Sequence, residues 1–229
     1  MEQRLEQMSK VMEYIAPDFL FYIGPVPINT TITSQWLAMI VLFGIIFWLT
    51  RGLKPKPEGK RQVIAELIVG FFHGLLEPNM GKKGRKYALL VGSLFLFIIT
   101  MNLLWFIPGV MPPTTDLNTT VGLALTTMLI IHALGFLNNG VKGYLSHFIQ
   151  PFPALLPLNL IKEVVKPVTL SLRLFGAMLG EKVAVTIFVI LIPLLVPVPI
   201  MLLGVLLGSL QAFVFTLLTV VYLTYALEH

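Results

Sequence analysis

The chain has 229 residues, of which 56% are hydrophobic and 12% charged, with a net charge of +5 and a mean hydropathy of +0.87. That is too apolar for a soluble domain and marks a polytopic membrane protein, about five spans of roughly 20 residues each, with no room for a soluble catalytic domain between them. The cations lie in short runs between apolar stretches, which signals orientation rather than nucleic-acid binding, and the lack of Cys excludes disulfides, thiolate metal sites and thiol chemistry.

Met1 to Leu20 is too polar and acidic for a signal peptide and lacks the Arg/Ser-rich character of a transit peptide, so it is expected to belong to the mature protein. Residues 1–30 are read as an external N-terminal segment. The first span runs from about Trp36 to Trp48, extended by Thr33 and Thr50, with a Trp near each boundary as an aromatic anchor. It ends in the basic residues Arg51, Lys54, Lys56, Lys60 and Arg61. In residues 62–76, Val63, Ile64, Leu67, Ile68, Phe71, Phe72 and Leu75 recur at helical spacing while Gln62, Glu66 and His73 fall elsewhere, which predicts an amphipathic helix lying in the membrane interface.

A second basic cluster, Lys82, Lys83, Arg85 and Lys86, precedes an apolar run from Tyr87 to Ile107, about one full span. With both clusters cytoplasmic, the N-terminus and the loop Pro108 to Asp116 lie outside, and a third span, roughly Thr119 to Leu137, returns towards Asn138, Asn139 and Lys142. Tyr144 to Leu160 is apolar but broken by Pro151, Pro153 and Pro157, which predicts a re-entrant or interfacial connection. The last two runs, Glu163 to Ile192 and Ile200 to Ala226, are longer than a perpendicular crossing needs, so they are read as a long, tilted hairpin turned at Pro193, Pro197 and Pro199. Five crossings from an outside start put Leu227-Glu228-His229 in the cytoplasm. The expected fold is an all-α polytopic membrane protein, one membrane domain over residues 1–229, with about five transmembrane helices and one interfacial amphipathic helix.

Arg173 stands out because it sits inside the fourth of these spans. A guanidinium in hydrocarbon costs between ~3 and ~10 kcal/mol or more, so an intramembrane Arg implies function. Glu181 lies two turns on, displaced by roughly 80° and about 12 Å along the axis, which is too far for a direct salt bridge. The spacing favours two charges serving different stations along a path over an ion-pair staple, which would sit at i, i+4. Gly176, Ala177 and Gly180 thin the helix beside them, suited to close packing or to a water-lined groove. His132, inside an apolar helix, reads as packed.

The segment Lys166-Pro167-Val168-Thr169-Leu170-Ser171-Leu172-Arg173-Leu174-Phe175-Gly176, followed by Gly180-Glu181, resembles subunit a of the F-type rotary ATP synthases. So do Leu210-Gln211-Ala212-Phe213-Val214-Phe215, Leu217 to Leu223, Met101-Asn102-Leu103 and the lead Pro157-Leu158-Asn159-Leu160-Ile161 into Glu163. With span order included, the likeness covers nearly the whole chain. It implies the stationary half of a rotary motor in a bacterial plasma membrane, its last hairpin, residues 163–226, facing the rotor ring of c subunits. The implied partners are that c-ring, the b-subunit peripheral stalk, the remaining synthase subunits and membrane lipid, with no cofactor, no metal and no nucleic acid. Nucleotide chemistry would belong to partner chains, and this chain itself would not be an enzyme.

The same resemblance implies two aqueous half-channels ending on opposite sides of Arg173, passing protons, or sodium ions, to and from carboxylates of the c-ring. Arg173 would favour the ionised ring carboxylate and block direct leakage. Gln211 would bond Arg173 or the ring. Asn102, Asp116 and Glu181 would lie along the outer channel, and Glu163, Lys166 and Thr169 along the cytoplasmic approach. The chain departs from the family pattern in having Ala177 where many relatives have Asn, one residue fewer before Glu181, and Gly204 seven residues before Gln211 where some relatives have a His partner for that Glu. A proton-coupled secondary transporter, with Arg173 binding an anionic substrate, is the alternative. Such folds carry internal repeats, and the Arg segment has no second copy here.

Overall fold

The computed structural model describes residues 19–23, 26–52, 59–104, 107, 110–149, 156–191 and 197–227. The expectations placed on Met1 to Asp18, Lys54, Lys56, Pro108, Pro151, Pro153, Pro193 and Glu228-His229 lie outside these residues. The all-helical membrane architecture read from the sequence is what forms: six long helices, α1 (Thr30–Thr50), α2 (Lys60–Met80), α3 (Ala88–Leu103), α4 (Leu117–Ile149), α5 (Leu156–Leu191) and α6 (Pro197–Leu227). Two short strands precede them, β1 (Phe19–Ile23) and β2 (Val26–Asn29), paired antiparallel with Ile23 opposite Val26. The segment expected only as an external tail thus carries a small hairpin.

Several boundaries differ from the sequence reading for local reasons. Pro197 and Pro199 lie in the first turn of α6, where the missing N–H has no intrahelical partner to lose, so they start the helix instead of forming the turn. Pro157 occupies the same kind of position in α5, which begins before Glu163. Pro167 is interior to α5; it has no N–H to offer the carbonyl one turn back, that of Glu163. The Tyr87 to Ile107 run follows a 3₁₀ turn over Gly81–Tyr87 and forms α3, which stops at Leu103.

Two glycines set chain direction. Gly81, at φ 60°, ends α2 in a conformation that side chains resist, and Gly140, at φ 68° and ψ 164°, breaks α4 into two arms. Beyond that break Tyr144 folds back onto the first arm. Its ring lies 4.5 Å from that of Phe136 and so close over Gly135 that a Cβ there would stand 2.5 Å from Tyr144 Cε2.

By length and composition α1, α2, residues 84–103, residues 117–140 and α6 are apolar enough to cross a membrane. Their number matches the expected five, but the membership differs. α2, read as interfacial, is included, while α5, read as a span, is not; α5 carries Lys162, Glu163, Lys166, Arg173, Glu181 and Lys182. What covers α5 is its neighbours, since it packs against both α4 and α6. Its buried stripe, Leu170, Leu174 and Met178, repeats every four residues and meets Ala212 and Phe215 of α6, with Ile98 and Met101 of α3 completing the cluster. A second core at the other end joins Phe72 and Leu76 of α2 to Val91, Met128, Ile131, Tyr144, Val220 and Leu223. α1 and α2 are the least embedded helices, α1 burying only Thr31, Ser34 and Ala38 and α2 only Phe72 and Leu76.

Candidate functional site

Arg173 lies midway along α5 on the side away from the buried stripe, so it shares the exposed face with Thr169, Leu172, Gly176 and Gly180. This follows from periodicity: with Leu170, Leu174 and Met178 turned inward, positions 169, 173, 176 and 180 must point out. A Cβ at Gly176 or Gly180 would meet nothing within 4 Å. The surface beside the guanidinium is therefore open, and these two glycines do not pack against another element of this chain. Arg173 makes no hydrogen bond or ion pair with any described residue. On α6, Gln211 has a buried Nε2 with no described acceptor.

Glu181 takes a different direction. α5 is regular from Leu156 to Leu191, with no bulge to restore the family spacing, and the 80° displacement turns Glu181 out of the Arg173 face and towards α6. There its carboxylate fills the space beside Gly204, where an added Cβ would collide with it. Glu181 Oε2 is buried and has no hydrogen-bond partner among the described residues. The position seven residues before Gln211 thus contributes room instead of a side chain. Next along α5, Lys182 is 3% exposed and directs its Nζ to Met111 Sδ at 3.5 Å; the sequence reading gave it no role.

The end of the bundle expected to face outside is held by polar contacts. Asn102, buried near the end of α3, donates from Nδ2 to the Gly208 carbonyl at 2.9 Å and accepts at Oδ1 from the Thr114 hydroxyl at 2.8 Å. Both ends of its amide are used, tying α3, α6 and the 3₁₀ turn Pro113–Thr115 together. Replacing Asn102 with Leu leaves the buried Thr114 hydroxyl without its acceptor, and the expected loss is ~1–3 kcal/mol, read as earlier dissociation or unfolding of the purified assembly on heating. Asp116 caps α4, accepting at Oδ1 from the Asn118 N–H at 2.9 Å, and its Oδ2 accepts from the Thr31 hydroxyl at 3.1 Å. Those two bonds account for its carboxylate, so geometry gives Asp116 a structural task.

At the opposite end Glu163 is ion-paired with Lys166, one helical turn along α5. Lys166 Nζ also stands 5.2 Å from the Tyr222 ring and 5.4 Å from the Tyr225 ring. Thr169 lies further along, its hydroxyl bonded to the Val165 carbonyl of its own helix at 2.8 Å. His132 is here too: Nε2 is 3.7 Å from Glu163 Oε2, and Nδ1 is 3.0 Å from the Tyr144 hydroxyl. Sequence reasoning placed His132 in the packing, and no spacing could have joined it to Tyr144, which reaches it only because Gly140 reverses the chain.

The structure therefore gathers Asn102, Glu181 and Asp116 towards one end, Glu163, Lys166 and Thr169 towards the other, and leaves Arg173 between them. The family described as ATP synthase A chain matches this chain over residues 32–224. It is similar to ATP synthase subunit a of Moorella thermoacetica, 51% identical over 212 residues that cover 93% of this chain and 97% of the relative. ATP synthase subunit a 1 of Syntrophotalea carbinolica is 41% identical over 86% of this chain and 85% of its own length. ATP synthase subunit a 1 of Crocosphaera subtropica is 37% identical, covering 91% and 92%.

Proposed function

This chain belongs to the ATP synthase A chain family, and from that premise we propose that it is the stationary ion-channel subunit of a bacterial rotary ATP synthase, passing protons to and from the carboxylates of the c-ring. The family assigns it to the membrane sector of a complex that couples ion transport to ATP synthesis. In this reading the chain performs no nucleotide chemistry, sits in the plasma membrane with its N-terminus outside, and works against the c-ring while the b-subunit stalk holds it still.

The observation that carries the reading is Arg173. A cation halfway along a membrane helix needs a counter-charge, and this one has none among the described residues while facing outward beside open glycines. An ionisable carboxylate moving past on a ring of another chain meets that need. A ring carboxylate in lipid must be neutral, because the bare anion is too costly there. Near Arg173 the anion is favoured, so the ion is released. The fixed positive charge also repels any ion attempting to pass straight from one half-channel to the other, which obliges ions to ride the ring.

Two features support separate half-channels. Glu181, with a buried and unpartnered oxygen in the seam against Gly204, marks the outer one, and Asn102 braces its wall. Glu163, Lys166 and Thr169 mark the cytoplasmic one. Gln211, with an Nε2 donor that no described residue receives, would donate to the ring from that nitrogen or accept from Arg173 at its Oε1. The experiment is ATP synthesis driven by an imposed proton gradient in vesicles holding the assembled complex, with sodium present or absent. Synthesis that follows the proton gradient and ignores sodium is the expected result. Synthesis that requires sodium would overturn the proton assignment, and none under either gradient would overturn the motor reading.

A further inference from the structure

At the cytoplasmic end, four titratable side chains from α4 and α5 meet around a cavity of ≈ 10 Å³, about the volume of one water, with Tyr222 and Tyr225 of α6 closing it. They differ in exposure: the His132 side chain is 31% exposed, against 15% for Glu163 and 19% for Lys166, while Tyr144 is buried. His132 is thus the member through which the cluster meets solvent, with Glu163 and Tyr144 further in. A purely structural account of His132 is weak on electrostatic grounds, because Glu163 already has Lys166 as its counter-ion. What His132 adds is connection: one ring nitrogen faces the carboxylate and the other faces the Tyr144 hydroxyl.

We propose that His132 carries protons between Glu163 and the cytoplasm, as the last fixed station of the cytoplasmic half-channel. This rests on the channel reading above and names a residue that the reading does not use. Imidazole suits the task because it binds and releases protons readily near neutral pH. In the direction of synthesis, the proton on the Glu163 carboxyl moves to His132 Nε2 as that O–H bond breaks. The imidazolium so formed keeps its Nδ1 proton hydrogen-bonded to the Tyr144 hydroxyl, which holds the ring in place, and gives up the other ring proton to cytoplasmic water. Glu163 is left ionised beside Lys166, and the imidazole is neutral again. The reverse sequence loads the ring when ATP is hydrolysed. The groups facing His132 are Glu163 and Lys166 from α5 and Tyr144 from its own helix, with Tyr222 and Tyr225 across the cavity.

The test uses the assembled complex in vesicles. His132→Gln retains an amide that can hydrogen-bond but cannot carry a proton, whereas His132→Ala leaves room for a small base. Both are expected to lower ATP synthesis at least roughly tenfold at unchanged assembly, and added imidazole is expected to restore His132→Ala. A His132→Gln complex working at the wild-type rate overturns the proposal, as does a His132→Ala complex that imidazole leaves unchanged. Arg173→Ala measured alongside separates the two levels. If it too makes ATP normally, the channel reading has failed and this inference falls with it; if it is inactive while His132→Gln is normal, only this inference fails.

Discussion

Replacing Arg173 with Ala is expected to abolish ion-driven ATP synthesis, leave the complex assembled, and open a passive ion leak. Assembly survives because Arg173 bonds to no described residue, and Leu170 and Leu174, which hold this stretch of α5 in the core, are untouched. On the proposed channel reading, synthesis is expected to fail because the ring carboxylate loses the cation that favours its ionised form. Two unit charges 4 Å apart at an effective dielectric near 20 attract by ~4 kcal/mol, and a loss of that size slows release by roughly a thousandfold. The leak follows from removing the positive barrier between two aqueous clefts. The measurement compares wild type and Arg173→Ala vesicles at matched assembly, for synthesis under a gradient and for ion flux without nucleotide. Near-normal coupled synthesis would show that Arg173 is structural.

The second large effect belongs to a residue with no side chain. Gly204→Val is expected to lower both ATP synthesis and ATP-driven pumping by roughly tenfold or more, at a cost in stability of ~1–3 kcal/mol. The space a Cβ would need is occupied by the Glu181 carboxylate, so the branched side chain has to expel it. Glu181 cannot relocate easily, since the helix on either side of it is anchored by Met178, Lys182 and Val185, all buried. Gly204→Ala, with a smaller intrusion, should fall between wild type and Val. Graded loss in the order Gly, Ala, Val is the signature; a Val variant that pumps normally would remove Glu181 and its neighbour from the outer channel.

Arg173 was legible in the sequence because its cost is intrinsic to its surroundings: one charge in an apolar run needs no tertiary information to be conspicuous. The helices were legible for the same reason, through runs of apolar residues. Their ends were less so, since Pro197 and Pro199 suit a turn and a helix start equally well. Contacts across long chain separations were not readable at all. The Asn102 amide meets the Gly208 carbonyl 106 residues away, and His132 finds Glu163 only where α4 and α5 pack. The Glu181 setting was partly legible: counting residues led to Gly204, but an absent side chain says nothing about what fills its place. Exposure also separated Arg173 from Glu181, which sequence periodicity allowed to share one broad face.

The charge load of α5 bears on how the protein is made. Arg173, Glu181 and Lys182 fall in the stretch that must enter the bilayer, and each adds ~2.5–3.5 kcal/mol to the free energy of inserting an isolated helix. The other long helices are apolar enough to enter lipid alone, whereas α5 becomes stable there only when its inner stripe has met α3 and α6. Synthesis from the N-terminus delivers α6 last. During translation α5 therefore leaves the ribosome with α3 and α4 already made but α6 still missing, and its cover is complete only when α6 follows.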